Sequence, residues 1–133
     1  MKSKAVLAAL ACACVATLAA AAPPATRAAS FICGGVSQPD AEAMKAQARD
    51  HDLMLTFADA SGAYLADVEV QISDRAGHVV LSGQCEGPIM LVDLPGPGSW
   101  LVRAQANGTT RQQSIATARG RTARATLVWP AGQ

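Results

Sequence analysis

The chain has 133 residues, 50% hydrophobic, 16% charged and only 4% aromatic, with eleven basic residues against ten acids for a formal net charge of +1. That length suits a single domain. The near-neutral charge and the scarcity of aromatic rings (two Phe, one Tyr, two Trp) exclude a module built to hold nucleic acid by phosphate contacts and base stacking.

Residues 1–21 read as a secretory signal peptide: Lys2 and Lys4 are followed by an uncharged, alanine-rich run to Ala22, with small residues ahead of Pro23. Alanine is too weakly apolar to hold such a run firmly in a bilayer, so no stable membrane span is expected after cleavage. Cys12 and Cys14 carry the alternative of a lipid anchor, with one of them acylated. Residues 22–30 form an Ala/Pro/Thr leader without periodicity, a flexible tether. The body of the protein is then residues 31–130, in the periplasm or secreted.

Cleavage would leave two cysteines, Cys33 and Cys85. An oxidising compartment makes a disulfide their expected state, worth about 4 kcal/mol in the chain-entropy picture. A metal site is the rival. His51 and His78 are isolated and no CxxC or HxxxH spacing occurs, so neither metal nor cofactor is expected.

Ser37-Gln38-Pro39-Asp40 has the grammar of a helix start, with Ser37 as cap, Pro39 in the first turn and Asp40 able to reach back to the cap amide. The helix runs to about Asp50. Ala41, Met44 and Ala48 make a thin apolar stripe opposite Glu42, Lys45 and Arg49. At Leu53 the period changes. Leu53, Leu55 and Phe57 alternate with Met54, Thr56 and Ala58, and because both sets are largely apolar this strand should be covered on both faces, by the helix on one of them.

After the turn Asp59 to Gly62, Val68, Val70 and Ile72 alternate with Glu69, Gln71 and Ser73, the mark of a strand with one wet face. Asp74 to Gly77 turns the chain into a return strand over 78–82. The whole stretch from Ser61 to Leu81 is expected to be the central hairpin. Gly83 to Pro88 reads as a break, and Ile89 to Leu94 as the next strand. Pro95-Gly96-Pro97-Gly98 cannot lie inside a ladder and makes a corner. Trp100, Val102, Ala104 and Ala106 then point inward, with Arg103 and Gln105 outward. Asn107-Gly108 between two alternating runs is the strongest hairpin signal in the chain. It also opens a glycosylation acceptor with Thr109, but the turn alone explains it. Strands over 110–117 and 122–129 complete the set, the last with Ala123, Ala125, Leu127 and Trp129 inward. Seven short strands with one early helix predict a mainly β, antiparallel Greek-key sandwich.

The run Gly62 to Val70, Asp74 and Gly77 before Val79-Val80-Leu81, then Gly87-Pro88, Leu94-Pro95, Pro97-Gly98 and Asn107-Gly108, resembles the small exported bacterial proteins described as carboxypeptidase regulatory-like domain proteins. The resemblance covers about residues 31–129, with Trp100 standing where such domains commonly carry a tyrosine. It implies a transthyretin-like, seven-stranded Greek-key sandwich that serves as an accessory or binding module beside enzymes.

An enzyme reading finds little support. Transthyretin-like hydrolases depend on paired histidines, an arginine and a Tyr-Arg-Gly-Ser signature; this chain lacks that signature and reads Trp129-Pro130-Ala131-Gly132-Gln133. Asp67 and Asp93 are the carboxylates a fold could still pair. The expected function is a non-enzymatic envelope module that binds a protein or an anionic glycan, and the alternatives are a structural or stress-related envelope protein and a hydrolase. All ten acids lie from Asp40 to Asp93, whereas residues 99–133 hold five arginines and no acid. Contact candidates are therefore Arg103, Arg111 and Arg124, either a basic face for an anionic partner or ordinary solvated strand positions. Tyr64 joins them, with a loop-tying corner residue as its alternative role.

Overall fold

Alternation of apolar with polar residues favours extended backbone, and the computed structural model, which describes residues 28–131, is mainly β. The expectations for the signal segment, for most of the leader and for Cys12 and Cys14 lie outside the described residues. The strands are β1 (Ser30–Gly34), β2 (Leu53–Asp59), β3 (Val68–Ser73), β4 (Val79–Cys85), β5 (Ile89–Asp93), β6 (Gly98–Ala106), β7 (Thr109–Thr117) and β8 (Ala123–Trp129). Among the described residues there is one helix, α1 (Gln38–Gln47), which runs into a 3-10 turn (Ala48–Asp50). The strands form two four-stranded sheets, in the orders β1-β5-β2-β8 and β4-β3-β6-β7.

Three expectations need correction. Eight strands are present among the described residues rather than seven, because Ser30 to Gly34 pairs antiparallel with β5 and becomes an edge strand. The sheets are not wholly antiparallel: β2 and β8 run parallel from Leu53↔Ala123 to Asp59↔Trp129. A hairpin forces its two strands antiparallel, but β2 and β8 are joined by no hairpin, so nothing local sets their relative direction. The hairpin within Ser61 to Leu81 is also not central, since β4 sits at the edge of its sheet.

The inner faces of both sheets supply one core. Leu53, Leu55 and Phe57 from β2 meet Val68, Val70 and Ile72 from β3, with Met90, Val92, Val102, Leu127 and Trp129 around them. A second, smaller cluster lies on the other side of the first sheet, where Ala41, Met44 and Ala48 of the helix and its 3-10 extension cover Met54, Ile89 and Leu91. That explains why both faces of β2 read as apolar. Ser37 caps α1, its hydroxyl accepting from the Asp40 N–H at 3.3 Å. The Asp40 carboxylate does not close a capping box on the Ser37 amide as expected. It reaches further back and accepts from the Gly35 N–H, tying the helix start to the end of β1.

Turn chemistry fixes the hairpins. Asn107 and Gly108 both take positive φ, 52° and 78°, as a two-residue primed turn requires. Asp74 accepts from the Ala76 and His78 N–H groups, each at 2.9 Å, and its carboxyl is held below the ordinary value chiefly by the His78 amide. Asp59 organises the preceding turn in the same way, and its carboxyl is lowered chiefly by the Ser61 hydroxyl.

The expected break at Gly83 is strand instead, since β4 continues to Cys85. A glycine inside a strand marks a close approach. Here a Cβ at Gly83 would stand 2.6 Å from Phe31 Cζ, so the ring of β1 occupies the space a side chain would need. Gly83→Ala is expected to destabilise the fold by about 1–3 kcal/mol through overpacking. In a Phe31→Leu background that cost should largely vanish, a coupling that urea denaturation of the double-mutant cycle would read directly.

Cys33 and Cys85 form a disulfide with their Cα atoms 5.5 Å apart. It joins β1 at the edge of one sheet to β4 at the edge of the other, closing that side of the sandwich. On the opposite side the edges β7 and β8 adjoin, linked by the Trp129 Nε1–H, which donates to the Thr109 carbonyl at 2.9 Å.

Candidate functional site

Strand register decides where each candidate side chain goes, because directly paired residues lie on the same side of a sheet. Arg103 pairs with Gln71 and with Gln112, all on the outer face of the β4-β3-β6-β7 sheet. Arg111 pairs with Ala104, a core residue, and so projects from edge strand β7 on the inner side. Arg124 belongs to the other sheet: it pairs with Met54, and its Nη1 lies 3.7 Å from the Met54 sulfur. The three arginines thus occupy three separate surfaces and form no common basic face. Clustering along the chain says nothing about clustering in space once successive strands fall in different sheets.

Tyr64 stands apart from all three. It makes an isolated bridge with Ala58, and the residue is 55% exposed. With Val36, Glu42 and Lys45 it lines a shallow depression of about 380 Å3 beside the start of α1. The ring lies open there rather than tucked beneath a loop as a corner residue.

Arg111 stands on the inner side of an edge strand, where it can guard that edge. A charge pointing inward from an edge strand blocks edge-to-edge pairing, since a docked strand would have to bury it. β7 is nine residues long, its other residues are Thr, Gln, Ser, Ile and Ala, and it contains no proline. Arg111→Val is expected to leave the fold intact and to produce concentration-dependent association, visible as a faster-sedimenting species in analytical ultracentrifugation.

The carboxylates Asp67 and Asp93 are not assembled into a pair. Asp67, exposed and at φ 57°, precedes Val68, which lies opposite Cys85. Asp93 lies opposite Ser30 at the far end of β5 in the other sheet. The spacing between packed sheets, about 10 Å, and three residues of strand separate them. Asp93 instead meets His51, whose Nδ1 lies 3.1 Å from Asp93 Oδ2, while Asp93 Oδ1 is buried without a hydrogen-bond partner. This couple spans 42 positions in the chain, and no local motif announces it. Asp52 reinforces the same end by accepting from the Leu94 N–H at 2.8 Å. The hydroxyl of Thr122 shares its proton between the Ala48 and His51 carbonyls, 2.8 and 2.9 Å away. His51 is therefore knitted into the frame. His78 sits on an exposed turn, 3.4 Å from Asp74. Among the described residues no group of three or more His, Cys, Asp or Glu could hold a metal ion, and no helix is long and apolar enough to cross a membrane.

What the fold does assemble is a polar face. On the outside of the second sheet Gln84, Glu69, Gln105 and Thr110 make one row across four strands, and Ser82, Gln71, Arg103 and Gln112 make the next. Neighbours within a row are about 5 Å apart, and the rows are about 7 Å apart. Two adjoining depressions of about 490 and 700 Å3 lie on this face and share Gln71 and Arg103. Trp100, although it borders the larger one, is buried with its ring turned inward, where Nε1–H donates to the Thr117 hydroxyl at 3.1 Å. Sequence reading identified Arg103 but not the rows around it. The outward set of β3 and β6 was legible, yet which strands lie side by side was not. Comparison with models of known protein families and with curated proteins finds no match for this chain.

Proposed function

We propose that the protein is a non-enzymatic binding or accessory module of the bacterial cell envelope, periplasmic or secreted, built as a transthyretin-like sandwich of the carboxypeptidase regulatory-like kind. Strands β2 to β8 supply seven strands in two sheets, and β1 adds an eighth beyond β5. The disulfide between Cys33 and Cys85 suits an oxidising compartment.

The observation that carries the binding reading is the outer face of β4-β3-β6-β7, where side chains with hydrogen-bonding capacity are gathered but not spent within the described residues. The hydrolase reading has only the His51–Asp93 couple. It positions a base as an active site would, but no nucleophile is hydrogen-bonded to its second nitrogen among the described residues. A structural envelope role would need no prepared face, so the uncommitted face favours binding over it.

The test is site-specific photocrosslinking in envelope extract. A crosslinker at Gln112 on this face is expected to yield an adduct, as a band or a smear above the free protein, and one at Thr126 on the opposite sheet is not. Equal labelling at both positions, or none at either, overturns the proposal.

A further inference from the structure

We infer that the ligand of the β4-β3-β6-β7 face is a carboxylate-bearing polysaccharide, with Arg103 as the anchor for the carboxylate and the surrounding amides reading the sugar hydroxyls. The inference rests on the binding-module reading above and specifies its ligand.

The argument starts from what the face offers. Arg103 stands where the two depressions meet. It is exposed and forms no salt bridge among the described residues. Glu69, the carboxylate on the same rows, is set diagonally from it, one strand over and two residues along. An unpaired guanidinium at the centre of a face is a fork ready for a planar anion, and a carboxylate fills it with two parallel hydrogen bonds.

Gln71 and Gln112 flank Arg103 directly on either side, and Gln84 and Gln105 flank Glu69 in the same way. None of these four side-chain amides makes a hydrogen bond among the described residues. A primary amide donates and accepts at once, which is what a vicinal diol requires, since each hydroxyl also does both. Amides repeated about every 5 Å across the strands, with a charged group between them, form a strip suited to an extended, hydroxyl-rich chain.

The missing chemistry narrows the class further. Protein hot spots are rich in Trp, Tyr and Arg set in apolar pockets, and this face turns no aromatic ring outward. Stacking on a base or on an apolar sugar face has no platform here for the same reason. Val79, Leu101 and Arg75 border only the larger depression; the two rows themselves offer amides, hydroxyls and the Arg103 guanidinium beside Glu69, and a ligand laid along them is polar and carries an anion, which describes an acidic glycan better than an acidic peptide.

Isothermal titration of the whole protein with polygalacturonate, dextran and polyaspartate tests the inference at low salt with chelator present. Polygalacturonate carries hydroxyls and carboxylates, dextran only the former, polyaspartate only the latter. Polygalacturonate is expected to bind and the other two to bind at least about tenfold more weakly. Arg103→Gln should weaken polygalacturonate binding about tenfold or more, and Gln71→Ala with Gln112→Ala should weaken it further. Both variants are on a wet face and should keep the wild-type melting temperature. Equal binding of polyaspartate would replace the glycan with an acidic protein. Equal binding of dextran would remove Arg103 as anchor. If polygalacturonate fails to bind while the Gln112 crosslink persists, the glycan is wrong and the binding module stands; if both fail, both are wrong.

Discussion

Loss of the Cys33–Cys85 bridge is expected to lower stability by about 4 kcal/mol, the chain-entropy value for a closed loop whose ends are 52 positions apart. A domain of this size has about 5–15 kcal/mol in total, so the variant Cys33→Ala with Cys85→Ala should sit close to unfolding at 37 °C. The place of the bridge adds to its weight. β1 is an edge strand paired only with β5, and its one large inward ring, Phe31, rests over Gly83 of the opposite sheet. Without the covalent link the strand is free to fray and to uncover that contact. Urea titration of the double alanine variant beside the wild type, each with and without reductant, gives the measurement. A midpoint change equivalent to less than about 1 kcal/mol would show that strand pairing alone holds β1.

Trp129→Ala should cost about as much, roughly 3–5 kcal/mol for a fully buried indole. Trp129 is 1% exposed and meets Phe57 edge to face, with ring centroids 6.1 Å apart and planes at 67°. Its Nε1–H crosses from the first sheet to the Thr109 carbonyl of the second. Trp129→Phe keeps much of the burial and loses the hydrogen bond, so it should cost about 1–2 kcal/mol beyond the lost volume. Near-ultraviolet circular dichroism during thermal melting would follow both variants, since Trp100 remains as a reporter. The disulfide and Trp129 close opposite sides of the sandwich and share no partners, so their effects should add. A variant lacking both is expected not to fold.

Residues with one wet face were legible in the sequence. β3, β6 and β8 showed their inward sets by alternation, and Asn107-Gly108 announced its hairpin, because both signals are local. The helix was legible for the same reason, with Ser37 and Pro39 at its start. Three features were not. β1 is too short for its alternation to stand out, and its extended form comes from pairing with β5. Gly83 read as a breaker because the Phe31 ring that takes the place of its side chain lies about fifty positions away. The choice between a shared basic face and separately solvated arginines could not be read, because a list of arginines in order carries no record of which sheet each strand joins. The polar face was half legible: Gln71, Arg103 and Gln105 were visibly outward, but their alignment into rows with Gln84 and Gln112 is a property of register.

The parallel pairing of β2 with β8 has a consequence in time. Met54 and Arg124 meet across 70 positions, and closing so long a loop costs chain entropy before any contact repays it. β2 is the apolar strand between β5 and β8, so the first sheet stays incomplete until β8 has been made. The fold thereby behaves as a late-closing latch, with Trp129 as the residue that drops it shut.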